Sequence, residues 1–479
     1  MATERPPDRG FRDQPRLAAY DVLRAVDTED AYANLVLPSL LRERALTGRD
    51  AALATELVGG TLRGQGTYDA ILAALANRVP DPAVLDAMRL GAHQLLAMRV
   101  PSHAAVATTV DLVRHRVGHQ PAGFVNAVLR KVAAHDLAGW VRRVAPDPGV
   151  DPTGYLAIAH SHPRWVVDAL AEALDRPGEL DALLAADNER PRVTLVARPG
   201  LSTVEELGGR RVAASPLAVE LDGGDPGEIP AVRDGRAGVQ DAGSQLVALA
   251  VTRAPIDDPD HSWLDLCAGP GGKAALLAAV AAGHGAGLLA VERLPHRARL
   301  VRQATRAGAA GLSGVVAADG LRPAWPDNRF DRVLVDAPCS GLGALRRRPE
   351  SRWRRTPDDV TDLVGLQLAL LAAALDAVRP GGLVVYATCS PVLAETAEVV
   401  RAVLADRPDV RLEDATPLVP ELTDVASAHL HGAVQLWPHR HGTDAMFLAL
   451  LRKRAWRAGA GEQVRAPSRQ EIGLVARDP

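Results

Sequence analysis

From His261 onward this 479-residue chain alternates short apolar runs with helix-sized segments. The runs are Trp263–Leu266, Leu288–Val291, Val315–Val316, Val333–Val335, Leu383–Tyr386 and Phe447–Leu451. Runs so short and so apolar read as strands buried on both faces, and most intervals suit a crossover helix between parallel neighbours. The wider gap before Leu383 predicts a long helix over Pro357–Val378. An open parallel sheet takes its ligands at the carboxyl ends of its strands. The residues just past each apolar run are therefore the first place to look for chemistry.

Three motifs stand there. Asp265-Leu266-Cys267-Ala268-Gly269-Pro270-Gly271-Gly272-Lys273 ends a strand in an acid and opens a helix through a glycine-rich turn. It has neither the G-x-G-x-x-G spacing nor the Lys-Ser/Thr pair of a P-loop. Glu292, about 20 residues past the loop at the end of the next strand, suits a ribose-hydroxyl acceptor. Asp319, read as ending the third strand, suits an adenine edge. Together these describe a nucleoside cofactor lying across strand ends. Asp336-Ala337-Pro338-Cys339-Ser340-Gly341 and Thr388-Cys389-Ser390 are the other two motifs, each just beyond a strand. A structural cysteine is usually buried inside an element, whereas Cys339 and Cys389 sit in polar turns. Three cysteines in all are too few for a disulfide framework, and no C-x-x-C or suitably spaced histidine supports zinc. Nucleophilic cysteine chemistry is preferred.

The rest of the chain differs in texture. Leu17, Tyr20 and Leu23, then Leu85, Met88, Ala92, Leu95 and Leu96, recur at helical spacing. Asp81-Pro82 reads as a helix start, and Ser102 as a cap. Val150 to Val239 mixes a helix over Pro163–Leu174 with a strand over Val193–Ala197 and dense glycine and proline. Aromatic residues make up only 3% of the chain, so aliphatic packing must build the core. The expected organisation is a disordered lead-in over 1–15, an all-α domain over 16–148, an α+β connector over 149–240, a Rossmann-like α/β domain over 241–456 and a flexible tail over 457–479.

The set DLCAGPGGK, DAPCSGLGALRRRPE and YATCS resembles the S-adenosylmethionine-dependent RNA cytosine-C5 methyltransferases of the Sun/Fmu family. Gly238–Gln245 resembles that family's segment before its first strand. Gly123–Arg130 resembles the NusB-like RNA-binding domain carried by one bacterial branch, which acts on small-subunit ribosomal RNA. The resemblance spans roughly residues 16–455. It implies a class I methyltransferase domain, S-adenosylmethionine as cofactor, and 16S rRNA or a small-subunit assembly intermediate as partner. It further implies that Cys389 attacks cytosine C6 and that Cys339 assists release of product. Cys267, Ala268, Gly269, Pro270, Gly271, Gly272, Lys273, Glu292 and Asp319 would hold the cofactor, and Asp336 would contact its methionine end or the pyrimidine. Two departures stand out. Gly269 replaces an alanine common in the family, a change read as tolerable. Arg198 follows the connector strand where relatives show Arg-Val-Asn, and could substitute as the RNA contact.

Net charge is −3, so no global basic field advertises nucleic acid. Locally, Gly341–Arg355 carries Arg346, Arg347, Arg348, Arg352, Arg354 and Arg355 against the single acid Glu350. Its closeness to Cys339 makes this the expected RNA-phosphate contact, with Trp353 available to stack on a base. Arg114, Arg116, Arg130 and Lys131 form a weaker candidate surface. His439-Arg440-His441 lacks partners at ligand spacing, and no metal is expected. Gly365, Gln367 and Asp376 interrupt the longest apolar stretch and no apolar leader segment is visible, so a cytoplasmic monomer is expected. Two alternatives stay open: the same reaction on tRNA, and a non-catalytic RNA-binding scaffold.

Overall fold

The computed structural model describes residues 11–257 and 259–455. The expected tail over 457–479 and most of the lead-in lie outside them. Seven helices form the N-terminal domain: α1 (Gln14–Thr28), α2 (Ala33–Glu43), α3 (Gly48–Leu75), α4 (Pro82–Leu96), α5 (Ser102–Arg116), α6 (Ala122–Val132) and α7 (Leu137–Val144). Asp13 caps α1 by accepting the Arg16 N–H, so ordered structure begins before Arg16. Leu17, Leu57, Ile71, Met88, Leu112 and Leu129, all fully buried, pack these helices together. Ser102 was expected as a cap but is the first helical residue, with Pro101 before it.

The connector has two parts. Helices α8 (Pro152–Ala159), α9 (Arg164–Ala173) and α10 (Leu180–Ala186) come first. A small antiparallel sheet follows, built from β1 (Val193–Ala197), β2 (Arg210–Arg211), β3 (Ala218–Leu221) and β4 (Ala237–Val239) in the order β2-β3-β1-β4.

Helix α11 (Ala242–Arg253) leads into the α/β domain, where Leu246, Val247 and Ala250 are fully buried. The strands are β5 (Ser262–Asp265), β6 (Gly287–Glu292), β7 (Leu312–Ala317), β8 (Phe330–Asp336), β9 (Val378–Thr388), β10 (Val410–Glu413), β11 (Val434–Gln435) and β12 (Phe447–Lys453). Their order is β10-β12-β9-β8-β5-β6-β7, with β11 beside β12. Strands β9, β8, β5, β6 and β7 run parallel, while β12 runs antiparallel to β9. Counted from β5 the order is 3-2-1-4-5-7-6, the layout of a Rossmann-like class I methyltransferase. The chain leaves β5 toward β6 and later returns to β8 on its other side. That topological switch point opens a crevice at the carboxyl ends of β5 and β8.

Crossover helices α12 (Gly272–His284), α13 (Pro295–Thr305), α14 (Pro357–Ala377) and α15 (Ala397–Asp406) cover the faces. Helix α14 starts at a capping box, with Thr356 and Asp359 satisfying each other's backbone N–H groups. By length and composition it could cross a membrane. Here Leu370, Leu371, Ala374 and Leu375 are buried in the core shared with β8 and β9.

Candidate active site

The glycine loop follows β5. Gly271 has φ 114°, and a Cβ there would lie 2.8 Å from the Ala304 Cβ and 2.9 Å from the Val301 Cα. Both the backbone conformation and the close approach of α13 therefore require glycine. No side chain caps α12, so its first N–H groups remain available to a ligand.

Glu292, at the end of β6, is buried and accepts the Leu294 N–H at 2.9 Å through Oε1. Its Oε2 occupies the space a Cβ on Gly269 would need, at 1.9 Å. Any Cβ at this position would make the carboxylate swing aside. Asp319 stands two residues past the end of β7, in a loop, and accepts the Leu321 N–H at 3.0 Å. Leu294 and Leu321 are 37% and 39% exposed, each two residues from one of these acids. They supply apolar surface beside the two acceptors, which sequence reading missed.

Asp265 is fully buried. Its Oδ1 accepts the Cys267 N–H at 3.3 Å, and its Oδ2 has no protein partner. Burial, reinforced by the nearby Asp336 charge, pushes Asp265 up to about 7. Lys273 donates to Asp336 at 2.8 Å, and despite its burial that carboxylate holds the ammonium above its ordinary range. Burial pushes the Cys267 thiol up, which leaves it an inert wall residue.

Past β8 and β9 the two cysteine turns meet, with Cys339 Sγ 3.5 Å from Cys389 Sγ. The Gly343 N–H donates to the Cys389 carbonyl at 2.9 Å, and a Cβ on Gly343 would lie 2.2 Å from the Ala445 carbonyl oxygen. The contact pulls the two sulfurs apart electrically. The Cys339 hydrogen bond lowers Cys389 against the cost of its burial, and the cations Lys273 and Arg348 help. The same contact, then burial, then the Cys389 charge and last the Glu395 charge raise Cys339. The two thiols are thus in direct contact, and either sulfur can donate to the other. The glycine loop, an orphaned carboxylate and a lysine lie around them.

The chain matches the family model described as 16S rRNA methyltransferase RsmB/F over residues 252–452, and the NusB family model over 13–134. It is 33% identical over 465 residues to ribosomal RNA small subunit methyltransferase B of Pseudomonas syringae pv. tomato, covering 93% of this chain and 99% of that protein. The chain belongs to the RsmB/F methyltransferase family. Rv1407 of Mycobacterium tuberculosis, named as a methyltransferase, is a relative at 54% identity over 460 residues, covering 94% of this chain and 99% of its own. The solved structure of PH0851 shares the fold at TM-score 0.76 and 20% identity, covering 92% of this chain and 99% of its own.

The arginine segment of this RsmB/F chain does not lie where its charge suggested. Arg352 is 0% exposed and donates to the Ser161 carbonyl at 3.0 Å and the Asn188 Oδ1 at 2.8 Å, so it holds the connector rather than phosphate. Arg346 and Arg347 are taken up by Asp241 and Asp444 in an ion cluster behind the cysteine turn. Arg354 donates to the Val26, Asp30 and Ala31 carbonyls and so closes the end of α1. Trp353 packs on Gly66, where a Cβ would come within 2.4 Å. Glu350 accepts the Ala33 N–H at 3.1 Å. Of the four expected contacts only Arg348 is exposed, its guanidinium 5.4 Å from the Tyr32 ring. Arg198 is buried too, donating to the Gly235 and Ala304 carbonyls, and is no RNA contact.

In the N-terminal domain Arg114 pairs with Asp111 and Arg116 with Asp21, while Arg130 and Lys131 are exposed. His439 bonds Glu179, and His441 accepts the Trp437 N–H. Among the described residues no group of three His, Cys, Asp or Glu is placed for a metal ion.

Arg352→Leu should therefore cost about 2–4 kcal/mol of stability, because buried acceptors lose their donor and Asp187 keeps an uncompensated environment. Thermal unfolding checks this. If the variant keeps its melting temperature and only RNA affinity falls, Arg352 is not an interdomain lock.

Proposed function

We propose that this chain methylates C5 of a cytosine in 16S rRNA through a covalent bond between Cys389 and C6, with S-adenosylmethionine as the methyl donor. The carrying observation is the pair of cysteine turns in contact at 3.5 Å, beside a glycine loop at the topological switch point. Membership of the RsmB/F family supports the methyl donor, and the printed names of the relatives support ribosomal RNA as substrate.

The site fits the cofactor. The uncapped start of α12, the orphaned oxygen of buried Asp265, and Glu292 and Asp319 at successive strand ends are the acceptors and donors a nucleoside with a charged tail needs. Cys267, Ala268, Gly269, Pro270 and Gly271 would wall it, and Gly272 and Lys273 would follow at the helix start. When bound, S-adenosylmethionine supplies an electrophilic methyl group. The protein's part is to make C5 a nucleophile. The Cys389 thiolate adds to C6, the electron pair moves toward C5, and C5 becomes enamine-like. After methylation the C5 proton leaves to a base and the Cys389 sulfur departs as thiolate. Cys339, holding a proton 3.5 Å away, stabilises that departing sulfur. Lys273 and Arg348 favour the thiolate at both ends of the cycle.

The RNA phosphates need cations that are not already committed. Arg348 is one, next to the cysteines. Helix α13 offers a row: His296, Arg299 and Arg302 recur at helical spacing, all exposed, with no acid in the helix. Arg299 and Arg302 have no side-chain ion pair among the described residues. Reaching C5 in folded RNA requires a flipped or unpaired base.

Cys389→Ala should abolish methyl transfer. Cys339→Ala should instead accumulate a protein–RNA adduct that survives denaturing electrophoresis. Adduct with the Cys389 variant, or its absence with both, would reverse or sink the assigned roles. Arg299→Glu combined with Arg302→Glu should weaken RNA binding at every sequence tested. It should also flatten the dependence of log affinity on log salt by roughly 1.5. An unchanged salt slope would place the phosphates elsewhere.

A further inference from the structure

Glu395 lies outside all three motifs, in a short helical turn over Leu393–Glu395 after β9, and is 0% exposed. Among the described residues no arginine or lysine side chain bonds its carboxylate. Four neutral donors converge on it instead. Oε1 accepts the Ser340 N–H at 2.7 Å and a Gln367 Nε2 hydrogen at 3.1 Å. Oε2 accepts the Ser340 hydroxyl at 2.5 Å and the Ser390 hydroxyl at 2.6 Å. Each serine hydroxyl has one hydrogen, so with both given to the carboxylate the 3.1 Å approach of the two serine oxygens is held from outside. Ser340 follows Cys339 and Ser390 follows Cys389. One buried carboxylate therefore grips the residue after each cysteine, from two turns 50 positions apart. The anchor is itself anchored: the Tyr386 hydroxyl donates to the Glu395 carbonyl at 2.7 Å, and Gln367 also donates to the Pro338 carbonyl at 2.8 Å.

Resting on the two-cysteine reading above, we propose that Glu395 is the positioning residue of the cysteine pair: its carboxylate ties the two turns at thiol–thiol contact and decides which sulfur is the nucleophile. The asymmetry follows from the geometry. Glu395 takes the amide immediately after Cys339, so its negative charge stands on that side of the pair. Lys273 and Arg348 act on Cys389. A charge in a low-dielectric interior acts strongly over such distances. Cys339 is thereby kept as thiol, and Cys389 is left to carry the negative charge. The residue touches neither base nor cofactor and works only through the two loops.

The test reads the resting protein, without RNA or cofactor, so it does not depend on any methyl transfer. Iodoacetamide alkylation of Cys339, Cys389 and Cys267 is followed by peptide mass spectrometry across pH 6–10. The wild-type chain should alkylate Cys389 at least about tenfold faster than Cys339 at neutral pH, since the thiolate is the reacting form. Glu395→Gln should bring the two rates within about threefold and raise the midpoint of the Cys389 profile, while Cys267 stays unchanged. Glu395→Asp, which keeps the charge, should restore part of the preference. If Glu395→Gln unfolds the chain, which Cys267 would report by reacting faster, Ser390→Ala removes one donor and should narrow the ratio in the same direction. An undiminished preference for Cys389 in folded Glu395→Gln or Ser390→Ala overturns the proposal, as does a faster Cys339 in wild type. A wild-type preference that Glu395→Gln abolishes, in a chain that methylates no cytosine, would keep the positioning role and reject the reaction.

Discussion

Strands β8 and β9 run parallel with Asp336 opposite Ala387, and the chemistry grows from that pairing. Each strand ends at the same sheet edge and releases a short polar turn, and the register brings the cysteine of one turn against the cysteine of the other. A register slip of one residue would reverse the facing of every side chain on the slipped strand. Fully buried Val333, Val335, Val384 and Tyr386 make such a slip costly. The glycine loop belongs to the next strand over, β5, so cofactor and nucleophile share one crevice because the sheet puts them there. Nothing about the cysteines themselves needs to be strained for this; they inherit their separation from the ladder and from the groups that grip their neighbours.

The N-terminal domain is tied into the same region. Nine residues beyond Cys339, the chain enters the segment whose side chains bolt the three parts of the molecule together. Glu350, Trp353 and Arg354 engage the helical domain, Arg352 the connector. Tyr32, from the N-terminal domain, has the guanidinium groups of Arg348 and Arg354 over its ring, at 5.4 and 5.0 Å. The domain of the NusB family thus touches the cysteine-bearing loop through side chains as well as supplying its own surface. Charged groups bonded in this way are costly to leave buried without their partners, so they hold the arrangement in register.

Much of this was legible in the sequence, and the failures share one cause. Buried parallel strands announce themselves as short apolar runs, and all six expected runs fall inside β5, β6, β7, β8, β9 and β12 or at most one residue beyond. The edge strand β10 is only partly buried and carries Arg411 and Glu413, so no apolar run marks it. The glycine loop and both cysteine turns were readable because their chemistry is local. Arg346, Arg347 and Arg352 were misread because charge density looks the same whether a guanidinium faces water or a distant acceptor. What decides for Arg352 is Ser161, 191 positions away, and Asn188, 164 positions away. Glu395 was invisible for the same reason: one acid at the start of a helical stretch, given meaning only by Ser340, 55 residues upstream. Asp319 was placed at a strand end and stands two residues beyond it, a difference that leaves it on the same edge.

The most direct test of the central claim is transfer of labelled methyl from S-adenosylmethionine to unmodified small-subunit ribosomal RNA, mapped by bisulfite sequencing with tRNA in parallel. The expected result is label in the ribosomal RNA, naked or in an assembly intermediate, and one newly protected cytosine there. Protection confined to tRNA would contradict the substrate. Label incorporated without any protected cytosine would contradict C5 as the atom methylated, and with it the covalent role of Cys389.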